Sequence, residues 1–313
     1  MQRRQFIKSS SALSTLPFLP YDLSSFDSPM EDGSLEVHIF SKHLQFLDYK
    51  EMGKMVKDMG FDGADLTVRP GGHVLPENAK KDLPKAVEGL RLAGLEPRMM
   101  TTAITDASDK VNQILLETAA KCGIKNYRMG WFRYPKTESI ISALETMTQK
   151  TENIAELNKR LNLQGSYQNH SGAYFVGASL WEVEKLLSKT QLPEMGCQFD
   201  IRHAVVEGGL SWPNNLRLIQ PRINTLVLKD CKWEKIDNEW KVINTPIGEG
   251  MVDFDKYFKL LKKHQIVAPV SLHLEYDLGG AQFGKKEITM DRDKIYTLMK
   301  KDLETVHKLW EKA

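Results

Sequence analysis

The chain has few cysteines, and they form no pattern. Cys122, Cys197 and Cys231 stand in no CxxC or CxxH spacing, which excludes a zinc knuckle and a disulfide framework. No segment approaches the ~20 consecutive apolar residues needed to cross a bilayer, so no membrane insertion is expected after the N-terminal segment. An excess of one charge is missing too. With 43 Lys and Arg against 41 Asp and Glu, the net charge is +2; this offers no broad surface for a polyanion and argues against nucleic acid as a partner. A glycine-rich phosphate loop and a linker-like break in composition are both absent, which counts against the alternative of a two-domain doubly wound sheet. What is present is ordinary for a soluble protein. Of 313 residues, 41% are hydrophobic and 27% charged, enough to bury one substantial core.

The first twenty residues, MQRRQFIKSSSALSTLPFLP, place Arg3 and Arg4 ahead of Phe6 and Lys8, followed by a serine-rich, mildly apolar run. This resembles a bacterial twin-arginine export signal and implies a leader over residues 1–30 and a periplasmic or exported protein. Pro17 and Pro20 interrupt the apolar part and no Ala-x-Ala site follows, so a basic tail is the alternative reading.

From residue 31 onward, strand and helix signals alternate. Predicted strands cover 35–41, 63–68, 97–102, 124–130, 163–170, 195–200, 223–230 and 269–275. Predicted helices cover 48–59, 82–92, 108–121, 137–161, 178–188, 212–219, 253–264 and 290–310. Gly60, Gly94 and Gly123 suit left-handed helix ends, and Asp48 and Ser108 suit N-caps. Eight such pairs predict a single-domain (β/α)8 TIM barrel over residues 31–313.

In such a barrel the chemistry gathers at the carboxyl ends of the strands. The stretch MGCQFDIRHAVVEGG, residues 195–209, reads as a buried strand opening into a loop, with Asp200 and His203 at its mouth. His43, His73, His170 and His273 follow or end other strands, while His38, His264 and His307 lie elsewhere. Because strand side chains alternate, Gln168 and His170 share a face, as do His273 and Glu275, whereas Lys229 and Asp230 point opposite ways. A lysine ending a barrel strand requires a carboxylate neighbour when buried. Arg69 and Arg128 suit substrate hydroxyls or an anionic group, or else internal ion pairs. Trp131, Trp181, Trp212 and Trp233, near predicted loops, suit stacking on sugar rings or ordinary packing.

These residues, with the GEGMVDF segment at 248–254 and the run SLHLEYDLGG at 271–280, resemble the sugar isomerase/epimerase family with the xylose-isomerase-like barrel, the AP endonuclease 2 superfamily. The resemblance covers essentially everything after the leader. It implies a divalent metal, Mn2+ or Mg2+ with zinc as a variant, held by a carboxylate on strand five, Asp200, a histidine on strand seven and Glu275. It also implies a substrate role for His203, and dimers or tetramers by analogy. Two positions depart: Gln168 stands where a glutamate is expected, and Val227 where the histidine is expected. Gln168 still offers a neutral oxygen to a metal; Val227 offers nothing.

The resemblance implies a small carbohydrate as substrate. It also implies metal-assisted removal of a proton beside a carbonyl of a sugar or keto-sugar, with Glu275, Lys229, His170 and His203 as candidate catalytic groups. Arg69, His73, Arg128, His273 and Trp233 are the candidate substrate contacts. With glutamine on strand five, a two-base epimerase is disfavoured relative to one-base isomerisation or β-elimination. A non-catalytic periplasmic carbohydrate-binding protein is the reading from another class. A DNA-repair enzyme ranks below both, because a three-zinc ligand set is not matched.

Overall fold

The structure, a computed structural model, describes residues 34–313; the leader expected over residues 1–30 lies outside them. Eight parallel strands close into a barrel: β1 (Val37–Phe40), β2 (Gly63–Val68), β3 (Met99–Thr102), β4 (Asn126–Arg128), β5 (Gln164–Gln168), β6 (Met195–Asp200), β7 (Ile223–Leu228) and, after a separate hairpin, β10 (Val270–Leu272). Neighbours follow chain order and β10 pairs with β1. The expected (β/α)8 barrel is therefore present.

Helices return the chain between strands: α1 (Tyr49–Met59), α2 (Ala79–Leu92), α3 (Lys110–Lys121), α4 (Ile140–Leu161), α5 (Leu180–Leu186), α6 (Ile201–Gly208), α7 (Trp212–Ile219), α8 (Phe254–Lys263) and α9 (Arg292–Lys312). Local chemistry sets their ends. Asp48 and Glu51 form a reciprocal capping box on α1, and Gly60 closes that helix at φ +91°, where a side chain would be strained. The start of α3 is capped by Asp109 rather than Ser108. The shorter serine instead bonds back to Asp106.

Along each barrel strand the residues alternate between two environments. Val37 and Ile39, Leu66 and Val68, Cys197 and Phe199, and Leu226 and Leu228 are fully buried apolar residues in the main hydrophobic cluster. The other face is polar. Asp65 on β2 accepts hydrogen bonds from Ser271 Oγ of β10 at 2.6 Å and from Thr101 Oγ1 of β3 at 3.0 Å. Since β2 and β10 are not neighbours, that bond crosses the inside of the barrel. Ser166, Asn224 and Thr225 form a second linked group. The outer face of the sheet thus supplies apolar burial against the helices, while the inner face is held by hydrogen bonds. Each inward hydroxyl or carboxylate needs such a partner to offset its lost hydration.

Two features depart from the sequence expectation. The loop expected after Asp200 is helix α6, which Asp200 itself caps by accepting the His203 backbone N–H at 3.1 Å. This helix is short, β-branched at Ile201, Val205 and Val206, and ends in a glycine pair, so its propensity is weak and the cap decides it. The second is an antiparallel hairpin inserted after β7, β8 (Asp230–Ile236) and β9 (Glu239–Thr245). Its turn residues Asp237 and Asn238 both have positive φ, +51° and +65°, as a tight two-residue hairpin turn requires.

Asp230 anchors the return from this hairpin. Its carboxylate accepts backbone N–H bonds from Gly248 at 2.9 Å, Gly250 at 2.9 Å, Val252 at 3.2 Å and Cys231 at 2.7 Å. Lys229 and Asp230 do point opposite ways, one to the barrel mouth and the other into this loop. Asp230→Ala leaves these inner amides without their acceptor and is expected to cost about 2–4 kcal/mol, read by chemical denaturation; a cost below about 0.5 kcal/mol would contradict this anchoring role.

Candidate active site

Strand ends that are far apart in sequence deliver one cluster of charges to the barrel mouth. Gln168 ends β5, Asp200 ends β6, Lys229 follows β7 directly, Glu275 stands three residues beyond β10, and Lys42 lies in the 3-10 turn Ser41–Leu44 after β1. Lys229 Nζ lies 3.2 Å from Asp200 Oδ2 and 3.7 Å from Glu275 Oε2. Glu275 Oε1 accepts a second ammonium, that of Lys42, at 2.9 Å. Asp200 Oδ2 also accepts Gln168 Nε2 at 2.7 Å. A carboxylate can only accept, so the amide nitrogen of Gln168 must face it. Asn169 fixes the Asp200 backbone from both sides, donating to its carbonyl at 3.0 Å and accepting its N–H at 2.8 Å.

His203 completes the cluster from the first turn of α6. Its Nδ1 accepts the Ser171 backbone N–H at 3.1 Å and Arg202 NH1 at 3.0 Å. The Ser171 hydroxyl, 2.7 Å from Nδ1, can donate or accept, and Lys229 Nζ, which can only donate, faces the other ring nitrogen, Nε2. That nitrogen is 3.2 Å from Lys229 Nζ and 3.5 Å from Asp200 Oδ2. Burial, followed by the charge of Lys229, holds His203 well below the usual imidazole range. His273 is held down by the same two causes. For Glu275, burial alone would raise the carboxyl, but Lys229 and Lys42 together outweigh it and keep it well below the usual carboxylate range. A carboxylate held so low is a weak proton acceptor.

An aromatic wall adjoins the cluster. His170 packs against Trp131, Phe175 and His203 at ring-centroid distances of 4.4, 4.3 and 4.3 Å. Its Nδ1 donates to the Ser171 carbonyl at 2.8 Å, which leaves the lone pair on Nε2. Burial, then Lys229, lowers its pKa to about 4, so the ring is neutral near pH 7. Arg128 stacks on Trp131 at 4.0 Å. Across the mouth, His273 stacks on Phe40 at 4.0 Å and approaches Glu275 Oε1 at 3.9 Å, and Arg69 lies over the same Phe40 ring at 5.5 Å.

Asp200, Glu275, Lys229, His203, Gln168 and His273 are therefore brought together, with His170, Arg128 and Arg69 around them. Two expected substrate contacts are not. His73 turns away from the mouth, bonding the Leu47 carbonyl at 3.0 Å and packing on Tyr49, because the chain after β2 folds back to pair Val74 with Val68. Trp233 lies on the exposed strand β8, opposite Val242. His43 is structural: its Nε2 accepts the Leu274 backbone N–H at 2.9 Å. Of the other tryptophans, Trp212 is core and Trp181 is exposed on α5. Sequence reasoning missed Lys42, Arg202, Ser171 and Asn169. Each is adjacent in sequence to a strand end or to a residue already singled out, and that adjacency was the available signal.

The expected divalent metal does not fit this donor set. Asp200 Oδ1 caps α6, its Oδ2 takes Gln168 and Lys229, and both Glu275 oxygens face lysines. Gln168 turns its nitrogen toward Asp200, His203 Nε2 faces the Lys229 ammonium at 3.2 Å, and Val227 is fully buried with no donor atom. Among the described residues, no group of three or more His, Cys, Asp or Glu is placed to hold a metal ion.

The cluster also makes a prediction about stability. Because the Glu275 pKa is lowered in the folded state, its contribution is present above the unfolded carboxyl pKa and is lost as the pH falls below that value and through the lower folded one. Lys229→Met removes the ammonium that outweighs burial, and the expected loss is roughly 3–5 kcal/mol at pH 7. Glu275, buried without that charge, then favours protonation, so part of that loss is recovered on acidification. Denaturation titrations at several pH values should show the gap between the two proteins narrowing toward pH 4–5; a gap that widens would contradict the arrangement.

Comparison with known proteins now places the chain. A family described as xylose isomerase-like TIM barrel matches residues 54–291. No curated protein sequence matches significantly. Among solved structures, 3-keto-D-glucoside 4-epimerase from E. coli is similar at a TM-score of 0.62 and 14% identity, covering 88% of this chain and 99% of that one. D-psicose 3-epimerase from Clostridium cellulolyticum H10, crystallised with D-tagatose, is similar at a TM-score of 0.65 and 11% identity, covering 88% and 98%. A probable 3-DHS dehydratase of petrobactin synthesis from Bacillus anthracis is similar at a TM-score of 0.62 and 14% identity, covering 85% and 97%. Such low identities speak to the fold alone, and it is the family match over most of the sequence, together with the closed barrel, that makes this chain a member of the xylose isomerase-like TIM barrel family.

Proposed function

We propose that the protein converts a sugar or keto-sugar by removing a proton from the carbon beside a carbonyl. The observation that carries this reading is the convergence of Lys229 with Asp200 and Glu275 at the carboxyl end of the barrel, next to a neutral imidazole with a free lone pair. Family membership supports it, as do structural neighbours named as epimerases and a dehydratase.

The chemical roles follow from charge and proton bookkeeping. Deprotonation beside a carbonyl develops negative charge on its oxygen, and a fixed cation at that oxygen lowers the barrier. Lys229 and Lys42 supply such cations. Glu275 and Asp200 hold the ammonium groups in place rather than take the proton, since both Glu275 oxygens face lysines and Asp200 is engaged by Lys229, Gln168 and the α6 backbone. His170 Nε2 is the proton acceptor. The aromatic wall of Trp131 and Phe175 beside it gives a sugar ring an apolar face to lie on. Arg128 and Arg69 are placed for hydroxyl or anionic substituents.

Gln168, beside His170 at the same strand end, cannot act as an acid or base at neutral pH, which favours isomerisation or β-elimination over two-base epimerisation. Incubation in D2O with a panel of aldoses, ketoses and 3-keto-glycosides tests the reading. Deuterium is expected at the carbon next to the carbonyl, and His170→Ala should slow exchange by about 100-fold or more. Appearance of a new double bond assigns elimination. Ligand-induced stabilisation without exchange into any member of the panel would replace the enzymatic reading with that of a carbohydrate-binding protein.

A further inference from the structure

The carboxylates at the barrel mouth do surround a cation, and that cation belongs to the chain. Lys229 Nζ is placed between Asp200 Oδ2 and Glu275 Oε2, at 3.2 and 3.7 Å. Both Lys229 and Asp200 are nearly or wholly shielded from solvent, so their charges are compensated by each other rather than by water. Val227 precedes Lys229 by two residues and therefore shares its inward face, and its side chain contributes no ligand. The long lysine stem rises from the end of β7 to the point where the acids meet.

Electrostatics and lone-pair counting agree. The oxygens that could bind a metal are already engaged by Lys229, Lys42, Gln168 and the α6 backbone. A divalent ion placed among the same oxygens would sit a few ångströms from two ammonium groups, a repulsion that a partly buried site screens weakly. An ammonium carries three N–H donors. His203 Nε2 at 3.2 Å and Asp200 Oδ2 at 3.2 Å stand within hydrogen-bond reach of Nζ, whereas Glu275 Oε2, at 3.7 Å, does not. One N–H of Lys229 is therefore unspent at the mouth.

We propose that Lys229 is the resident cation of this site, standing in place of a divalent metal and directing its unspent N–H at the oxygen of the bound substrate. The metal-excluding part is independent of the reaction; the substrate-facing part rests on the carbonyl chemistry proposed above.

The test uses the full chain purified without chelator. Elemental analysis after desalting should find no stoichiometric Mn, Mg, Zn or other divalent metal, and the melting temperature should be the same in MnCl2, ZnCl2 or EDTA. One equivalent of metal surviving desalting, or saturable stabilisation by Mn2+, overturns the proposal without any activity assay. In the converse experiment, Gln168→Glu, Val227→His and Lys229→Met are combined. This variant should gain a Mn2+-dependent rise in melting temperature of about 5 °C once the ion is ~100-fold above its dissociation constant; a folded triple variant with no such rise would show that the ammonium is not what excludes the metal. With any substrate found by deuterium exchange, turnover of the natural chain should be equal in EDTA and in Mn2+. If no sugar exchanges but the metal results hold, the reaction assignment fails while the resident-cation assignment stands.

Discussion

A buried ammonium shared between two carboxylates organises the mouth of this barrel. Lys229 holds Asp200 and Glu275 on either side of one point, and most of the surrounding geometry follows from that. Because Asp200 must face Lys229, it also caps α6, and the helix begins directly at the strand end. Because α6 begins there, His203 is brought beside Lys229, its other ring nitrogen held by Ser171 and Arg202. The same ammonium depresses His170 and His273, after burial, and lowers Glu275 against burial. Removing charges from water is costly unless their partners are well placed, so the cluster constrains the strand ends as much as they constrain it.

Beneath the mouth, the barrel divides its two faces by chemistry. Apolar residues on the outer face pack against the helices, and the inner face carries Asp65, Thr101 and Ser271 in a hydrogen-bonded layer. The burial that drives folding lies mainly between sheet and helices. The interior is left as a polar support for the charged groups above it. Asp230 performs the complementary task on the outward side, fixing the 248–252 loop through backbone amides so that the hairpin insertion does not displace Lys229.

These features bear on what the family resemblance can and cannot carry. The fold transfers directly, and Asp200 and Glu275 meet at the barrel mouth around Lys229. A metal site depends on every donor in its shell, and here one position is Val227, which has no donor atom, another is an amide turned by its neighbour, and a third faces an ammonium. Membership in a family therefore fixes the scaffold and the location of chemistry, while the identity of the polarising cation is decided by a few side chains.

Much of this was legible in the sequence. Period-two alternation in runs such as PVSLHLE, glycine stops and aspartate caps determine eight strand and helix pairs through local physics, and hence the barrel and the rim on which Asp200, Lys229 and Glu275 sit. The sharing of one face by Gln168 and His170, and the opposite pointing of Lys229 and Asp230, follow from strand geometry alone. Sequence pattern did not reveal α6, whose residues have weak helix propensity and whose start depends on a cap, or the hairpin at 230–245, whose Asp237–Asn238 turn signal is only two residues long. The outward turn of His73 depends on a bridge between Val68 and Val74. Only the tertiary structure decided that the Lys229 ammonium stands between the two acids and that Lys42 joins it. Hydrogen-bond direction and charge compensation are properties of groups brought together from distant strands, and no local pattern encodes which of them will meet.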